Sequence, residues 1–82
     1  MKLTLYHYRG CPFCHRVWDA ADRLGVHLEE RNTIENPEYR QELYSVMGRG
    51  TVPVLHIEHP DGRIEWLPES RDIVRFLETH FG

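Results

Sequence analysis

Two cysteines are all that this chain carries, which excludes the multi-disulfide framework of small secreted domains. Methionine and tryptophan are equally scarce, at two each. No hydrophobic run approaches the roughly 20 residues of a membrane-spanning helix. The apolar stretch at the start is short, mixed and strand-like, unlike a signal peptide. Neither sign of charge dominates: ten Lys and Arg stand against thirteen Asp and Glu, a net of −3. That mild acidity argues against nucleic acid as a partner, and nothing in the chain calls for a membrane. Repeats, low-complexity tracts and linkers are missing too.

Metal-ligand patterns are also thin. The six histidines, His7, His15, His27, His56, His59 and His80, are scattered, with no H-x₃-H pair. Zinc typically needs a second ligand pair at short spacing, so no metal is expected. Cys14-His15 completes the C-x-x-C-H pattern of c-type haem attachment. That chemistry belongs to exported proteins, and the chain shows neither an export signal nor an obvious axial methionine. What is present is an 82-residue chain with 40% hydrophobic and 28% charged residues. It suits one small globular domain over residues 1–82, with a core of modest size.

The pattern that stands out is Cys11-Pro12-Phe13-Cys14, between a strand-like and a helix-like run. One helical turn brings the two sulfurs together, so they can close into a disulfide with little backbone movement. A helix start also offers unpaired N–H groups and a positive dipole end, which favour the reactive thiolate. In a reducing compartment such as the cytoplasm, a lone C-x-x-C is catalytic or metal-binding sooner than structural.

The remaining elements follow from periodicity and punctuation. Lys2–Tyr8 alternates as a strand, with Leu3, Leu5 and His7 on one side and Thr4, Tyr6 and Tyr8 on the other. Tyr6 and Tyr8 are candidates for a cleft floor. Pro12 suits a first helical turn, and Cys14, Val17, Trp18, Ala21 and Leu24 recur at helical spacing until Gly25, with Trp18 expected in the core. A strand is predicted over Val26–Asn32, where the run Glu29-Glu30-Arg31 marks a solvated edge. Asn36-Pro37 caps a second helix with a stripe of Tyr39, Leu43, Val46 and Met47, ended by Gly48 and Gly50. Val52–Ile57 and Arg63–Leu67, joined by Pro60-Asp61-Gly62, predict an antiparallel hairpin. Ser70 is placed as the cap of a last helix that buries Ile73, Val74, Leu77 and Phe81, with Phe76 at the edge of that stripe. The order is β-α-β-α-β-β-α, an α/β fold with one four-stranded mixed sheet flanked by three helices. Its first two strands are parallel.

On this order and three motifs, the chain resembles the glutaredoxins of the thioredoxin-fold superfamily over its whole length. The motifs are Cys11-Pro12-Phe13-Cys14, Gly48-Arg49-Gly50-Thr51-Val52-Pro53 and Pro68-Glu69-Ser70-Arg71-Asp72-Ile73. The resemblance departs from the family at Phe13, where tyrosine is usual, and at Tyr8, where lysine is frequent. The Leu67-Pro68-Glu69-Ser70 turn is more similar to that of glutathione transferase N-terminal domains, which a larger helical domain normally follows.

The resemblance implies a glutathione-dependent thiol–disulfide oxidoreductase acting on protein disulfides or protein–glutathione mixed disulfides. Cys11, at an exposed helix end, would be the nucleophile. Cys14, one turn deeper, would resolve the mixed disulfide, and Pro12 would stiffen the turn. Pro53 would be cis, with Thr51 and Val52 presenting backbone to glutathione beside Phe13. Ser70 would hold the γ-glutamyl carboxylate, Glu69 or Asp72 the amino group, and Arg49 or Arg9 the other end. Arg9 and Arg16 would also favour the thiolate. A cytoplasmic monomer is expected. The alternatives are a glutathione-binding or iron–sulfur-cluster-carrying module, or a stand-alone transferase-like N-terminal domain.

Overall fold

The computed structural model describes residues 1–82. The elements run β1 (Lys2–His7), α1 (Pro12–Leu24), β2 (Glu29–Asn32), α2 (Pro37–Met47), β3 (Val54–Glu58), β4 (Ile64–Pro68) and α3 (Ser70–Phe81). The sheet order is β2-β1-β3-β4. β1 pairs parallel with β2, while β3 pairs antiparallel with both β1 and β4. This is the four-stranded mixed sheet of the thioredoxin-like fold, with its elements in the chain order β-α-β-α-β-β-α expected from the sequence.

Each face of the sheet has its own core. On one side Leu3, Leu5, Leu55 and Ile57 meet Val17, Ala20 and Ala21 of α1 and Ile73 and Leu77 of α3. On the other side Tyr6 and Val54 meet Leu43 of α2. β1 lies between neighbours on both edges and helices on both faces, so Leu3 to His7 are all buried.

Local signals place the ends. Gly25 takes φ 68°, a left-handed value that costs glycine little. Beyond it the Val26 N–H reaches the Ala21 carbonyl at 2.8 Å, while the Gly25 N–H bonds Asp22 at 3.2 Å. That pair satisfies two end carbonyls of α1 in a Schellman arrangement. Asn36 accepts from the Glu38 N–H at 3.1 Å and caps α2.

The structure moves several boundaries. β3 begins at Val54, not Val52, because Pro53 has no N–H to give the ladder and its bond to Val52 is cis. β2 is only four residues long. Ser70 is the first helical residue rather than the cap; Glu69 takes the cap position. Of the stripe expected on α2, only Leu43 is fully buried, while Tyr39 and Met47 pack partly against the same small cluster and Val46 is 50% exposed. Phe81, the last residue of α3, is likewise exposed, while Phe76 packs on the core. Tyr6 is core, not cleft floor.

Arg31 is not part of a solvated edge. Its guanidinium donates to the Tyr6 hydroxyl at 2.7 Å and to Glu42 of α2 at 3.1 Å. It also sits 5.4 Å and 5.3 Å from the Tyr6 and Tyr39 ring centroids. The edge strand is thereby tied to the helix across the sheet.

These positions separate two apolar residues one turn apart on α2. Leu43→Ala should lower unfolding free energy by about 2–5 kcal/mol, as loss of a fully packed leucine does. Val46→Ala should stay within roughly 0.5 kcal/mol, as at an exposed site. Urea unfolding followed by circular dichroism checks both.

Candidate functional site

β1 and β3 run antiparallel, with Tyr6 opposite Val54. The chain leaving β1 and the chain entering β3 therefore meet at one end of the sheet. The first carries Cys11 and the second carries Val52-Pro53. The Cys11 thiol points at the Val52 carbonyl oxygen, 3.9 Å away. Pro12 occupies the first turn of α1 and Cys11 the N-cap, with no side chain capping that end. The Cys11 carbonyl accepts from Cys14 and His15 N–H groups at 3.1 and 3.3 Å, which fixes the turn between the sulfurs.

Both cysteines are free thiols. Cys11 is only 3% exposed, which corrects the expectation of an open helix end: the Val52 backbone lies across its sulfur. Burial pushes the Cys14 thiol up to about 12, a hydrogen bond with Cys11 adds to the shift, and a Tyr8 backbone contact only partly opposes it. Cys14 thus holds its proton at neutral pH.

Beside the cysteines lies a cleft of about 560 Å³. Thr51, Val52 and Pro53 form one wall and Glu69, Ser70 and Asp72 the other, with Arg49 also in the lining. Phe13 and Arg16 reach in from α1, the Arg16 guanidinium 5.3 Å from the Phe13 ring centroid. Arg49 and Glu69 are 4.0 Å apart. Glu69 has φ 73° and ψ 117° and makes no side-chain cap, so the first N–H groups of α3 have no capping acceptor from it.

Cys11, Pro12 and Cys14 lie beside the cleft and not in its lining, and of the residues expected to bind glutathione all line it except Arg9. Its side chain is exposed outside the cleft, while its carbonyl lies 3.0 Å from His15 Nε2 and braces the loop. Trp18 is half-buried against the core and stacks edge-on with His7 and His15. Tyr8 lines a different depression, with Ile34 and Arg40. Arg71, to which the sequence pattern assigns no role, and Arg16, expected only to favour the thiolate, both line the cleft. Their signals were present: Arg16 is one helical turn beyond Phe13, and Arg71 sits between Ser70 and Asp72. No three His, Cys, Asp or Glu side chains cluster as a metal site, and no helix is long and apolar enough to cross a membrane.

The cysteine asymmetry is open to chemical test. In Cys11→Ser, iodoacetamide should leave Cys14 essentially unmodified at pH 7–8, with labelling rising only in the alkaline range, because burial, the main cause that raises its pKa, persists when the Cys11 contribution is removed. Mass spectrometry of alkylated peptides across pH gives the profile, and a plateau below pH 9 would contradict it.

Known proteins place this arrangement. The profile of the glutathione S-transferase N-terminal domain matches residues 5–82. Glutaredoxin 3 of Escherichia coli (strain K12) is 32% identical over 57 residues, covering 70% of this chain and 69% of that protein. Prostaglandin E synthase 2 of Danio rerio is 33% identical over 82 residues, but this chain spans only 19% of its length. In structure, a trimeric glutathione transferase from Leishmania superposes with a TM-score of 0.80 at 30% identity, over 98% of this chain and 18% of that one. A maleylacetoacetate isomerase from Anaeromyxobacter dehalogenans, with glutathione bound in its active site, superposes with a TM-score of 0.75 at 26% identity, over 98% of this chain and 38% of that one. The chain therefore belongs to the glutathione S-transferase N-terminal domain family, and with the glutaredoxins to the thioredoxin-fold superfamily.

Proposed function

We propose that this protein is a glutathione-dependent thiol–disulfide oxidoreductase of the glutaredoxin type. The observation that carries this reading is the pair of unequal cysteines beside a cleft of mixed charge. Glutathione has two carboxylates and one ammonium group. The cleft offers Arg16, Arg49 and Arg71 as cations, Glu69 and Asp72 as anions, and the start of α3 as a donor group. The γ-glutamyl carboxylate fits the N–H groups at Ser70, where helix geometry favours an anion. The ammonium fits Glu69 or Asp72, and the glycyl carboxylate fits Arg49. The cysteinyl segment can pair with the Val52 backbone as a short strand.

In the reaction, the Cys11 thiolate attacks the glutathione sulfur of a protein–glutathione mixed disulfide. The protein leaves as thiolate and takes up a proton, and Cys11 now carries glutathione. A second glutathione thiolate attacks that sulfur, forms oxidised glutathione and returns Cys11 as thiolate. With a protein disulfide, Cys11 instead bonds one substrate sulfur. Cys14 gives up its proton, attacks Cys11 and releases the reduced substrate, leaving a Cys11–Cys14 disulfide for glutathione to reduce. The high proton affinity of Cys14 keeps it from competing with Cys11 for the first attack. This chemistry suits a reducing compartment, the cytoplasm, and a monomer suffices for it.

One observation favours a second reading. The family match and the Glu69-Ser70 turn fit the glutathione-binding unit of a transferase that adds glutathione to an electrophile. Here too the cleft would hold glutathione, but Cys14 would have no task.

One assay separates the two. With glutathione, glutathione reductase and a small mixed disulfide, Cys11→Ser should lose activity by on the order of a thousandfold, as loss of a nucleophile does. Cys14→Ser should keep deglutathionylation within about threefold while losing reduction of protein disulfides. Full activity in Cys11→Ser would sink the mechanism. Conjugation of an electrophile without disulfide reduction would establish the transferase reading.

A further inference from the structure

A second groove, of about 470 Å³, runs between α1 and α3. Its walls are two helical stripes of matching spacing. α1 contributes Arg16, Asp19 and Arg23; α3 contributes Arg71, Arg75 and Glu78. Residues three and four apart share a helix face, so each set forms one wall. Ala20 and Val74 lie between these positions, and Ala20 is buried. Its small side chain leaves the groove open where a larger one would fill it.

The charges are unevenly engaged. Arg23 and Glu78 pair across the groove at 3.3 Å. Arg16, Arg71 and Arg75 have no carboxylate within 4.0 Å. Asp19 is the one acid left on the walls to offset them. On a chain of net charge −3, three exposed and unpaired guanidinium groups in one groove form a local reversal of sign. Guanidinium forks bind carboxylates in bidentate fashion, more strongly than neutral donors do. The groove also joins the glutathione cleft, because Arg16, Ser70 and Arg71 line both.

We propose that this groove receives an acidic segment of the polypeptide that carries the disulfide. The proposal rests on the thiol–disulfide reading above and names the substrate class: proteins whose reactive cysteine has Asp or Glu nearby in sequence. An extended segment leaving the cleft mouth passes Arg16 and Arg71 and then reaches Arg75, about two residues further at roughly 3.3 Å each. A lysine-rich segment meets the same guanidinium groups and is repelled, so the groove selects by exclusion as well as by attraction.

The test uses three glutathionylated peptides that differ only in flanks of Glu, Gln or Lys, with the mixed disulfide of glutathione and a small uncharged thiol as reference. At low ionic strength the wild type should show kcat/KM on the order of tenfold higher for the Glu peptide than for the Gln peptide, with the Lys peptide lowest. The spread should shrink towards one in about 0.5 M salt. Arg75 lies outside the glutathione cleft, so Arg75→Glu should abolish the Glu preference while leaving the rate on the small substrate unchanged. Arg75→Gln should show a smaller loss of preference. Equal rates on the three peptides, or a preference that survives Arg75→Glu, would overturn the inference alone. No turnover of the small substrate would overturn the redox reading and the inference with it.

Discussion

The antiparallel pairing of β1 with β3 is the constraint from which the site follows. The two strands are the central pair of the sheet, and their register sets Tyr6 opposite Val54. Because they run in opposite directions, the exit of one and the entrance of the other lie at the same sheet end. Cys11 and Val52 are 41 positions apart in sequence, yet the thiol of one faces the carbonyl of the other. A register slip of one residue would turn every side chain of β3 to the opposite face. The two cores prevent it: Val54 belongs under α2, while Leu55 and Ile57 belong under α1 and α3. Packing remote from the chemistry thus fixes the geometry of the chemistry.

Much of this was legible in the sequence, for identifiable reasons. Gly25 and Gly48 end helices in the left-handed conformation, and Asn36-Pro37 opens one; each signal is local and acts locally. The alternation in β1 assigned its faces correctly because neighbouring strand residues must point to opposite sides. What periodicity could not supply is how far a neighbouring element extends. Val46 and Phe81 lie on the expected stripes but find no surface to cover them. Arg31 read as solvated because a charged residue in an edge strand usually is, and only the fold brings Tyr6 and Glu42 to it. The cleft residues were legible through their motifs, whereas the cover over Cys11 and the placement of Arg71 depend on tertiary contacts.

The same structural economy shapes the reactive pair. Both cysteines lie on a single helical turn and both are buried, yet their surroundings differ. Cys11 holds the N-cap, where backbone N–H groups and the helix dipole face it. Cys14 lies against the core side of α1, where the low dielectric penalises the thiolate. In the proposed mechanism, the division of labour between the two therefore needs no dedicated side chain. It arises because one residue starts a helix and the other, one turn on, faces the interior.

Glu69 combines a positive φ of 73° with a position on the cleft wall. A non-glycine residue held there costs on the order of 1–3 kcal/mol, a sizeable share of the roughly 5–15 kcal/mol that small domains have in total. Glycine at this position would relax the backbone, but it would remove the carboxylate that faces Arg49. Directed evolution for heat tolerance alone would thus tend to accept glycine here and strip the cleft wall of a carboxylate without any visible change in the fold. If the proposed glutathione reading holds, position 69 is a place where thermal selection and binding selection have separate optima.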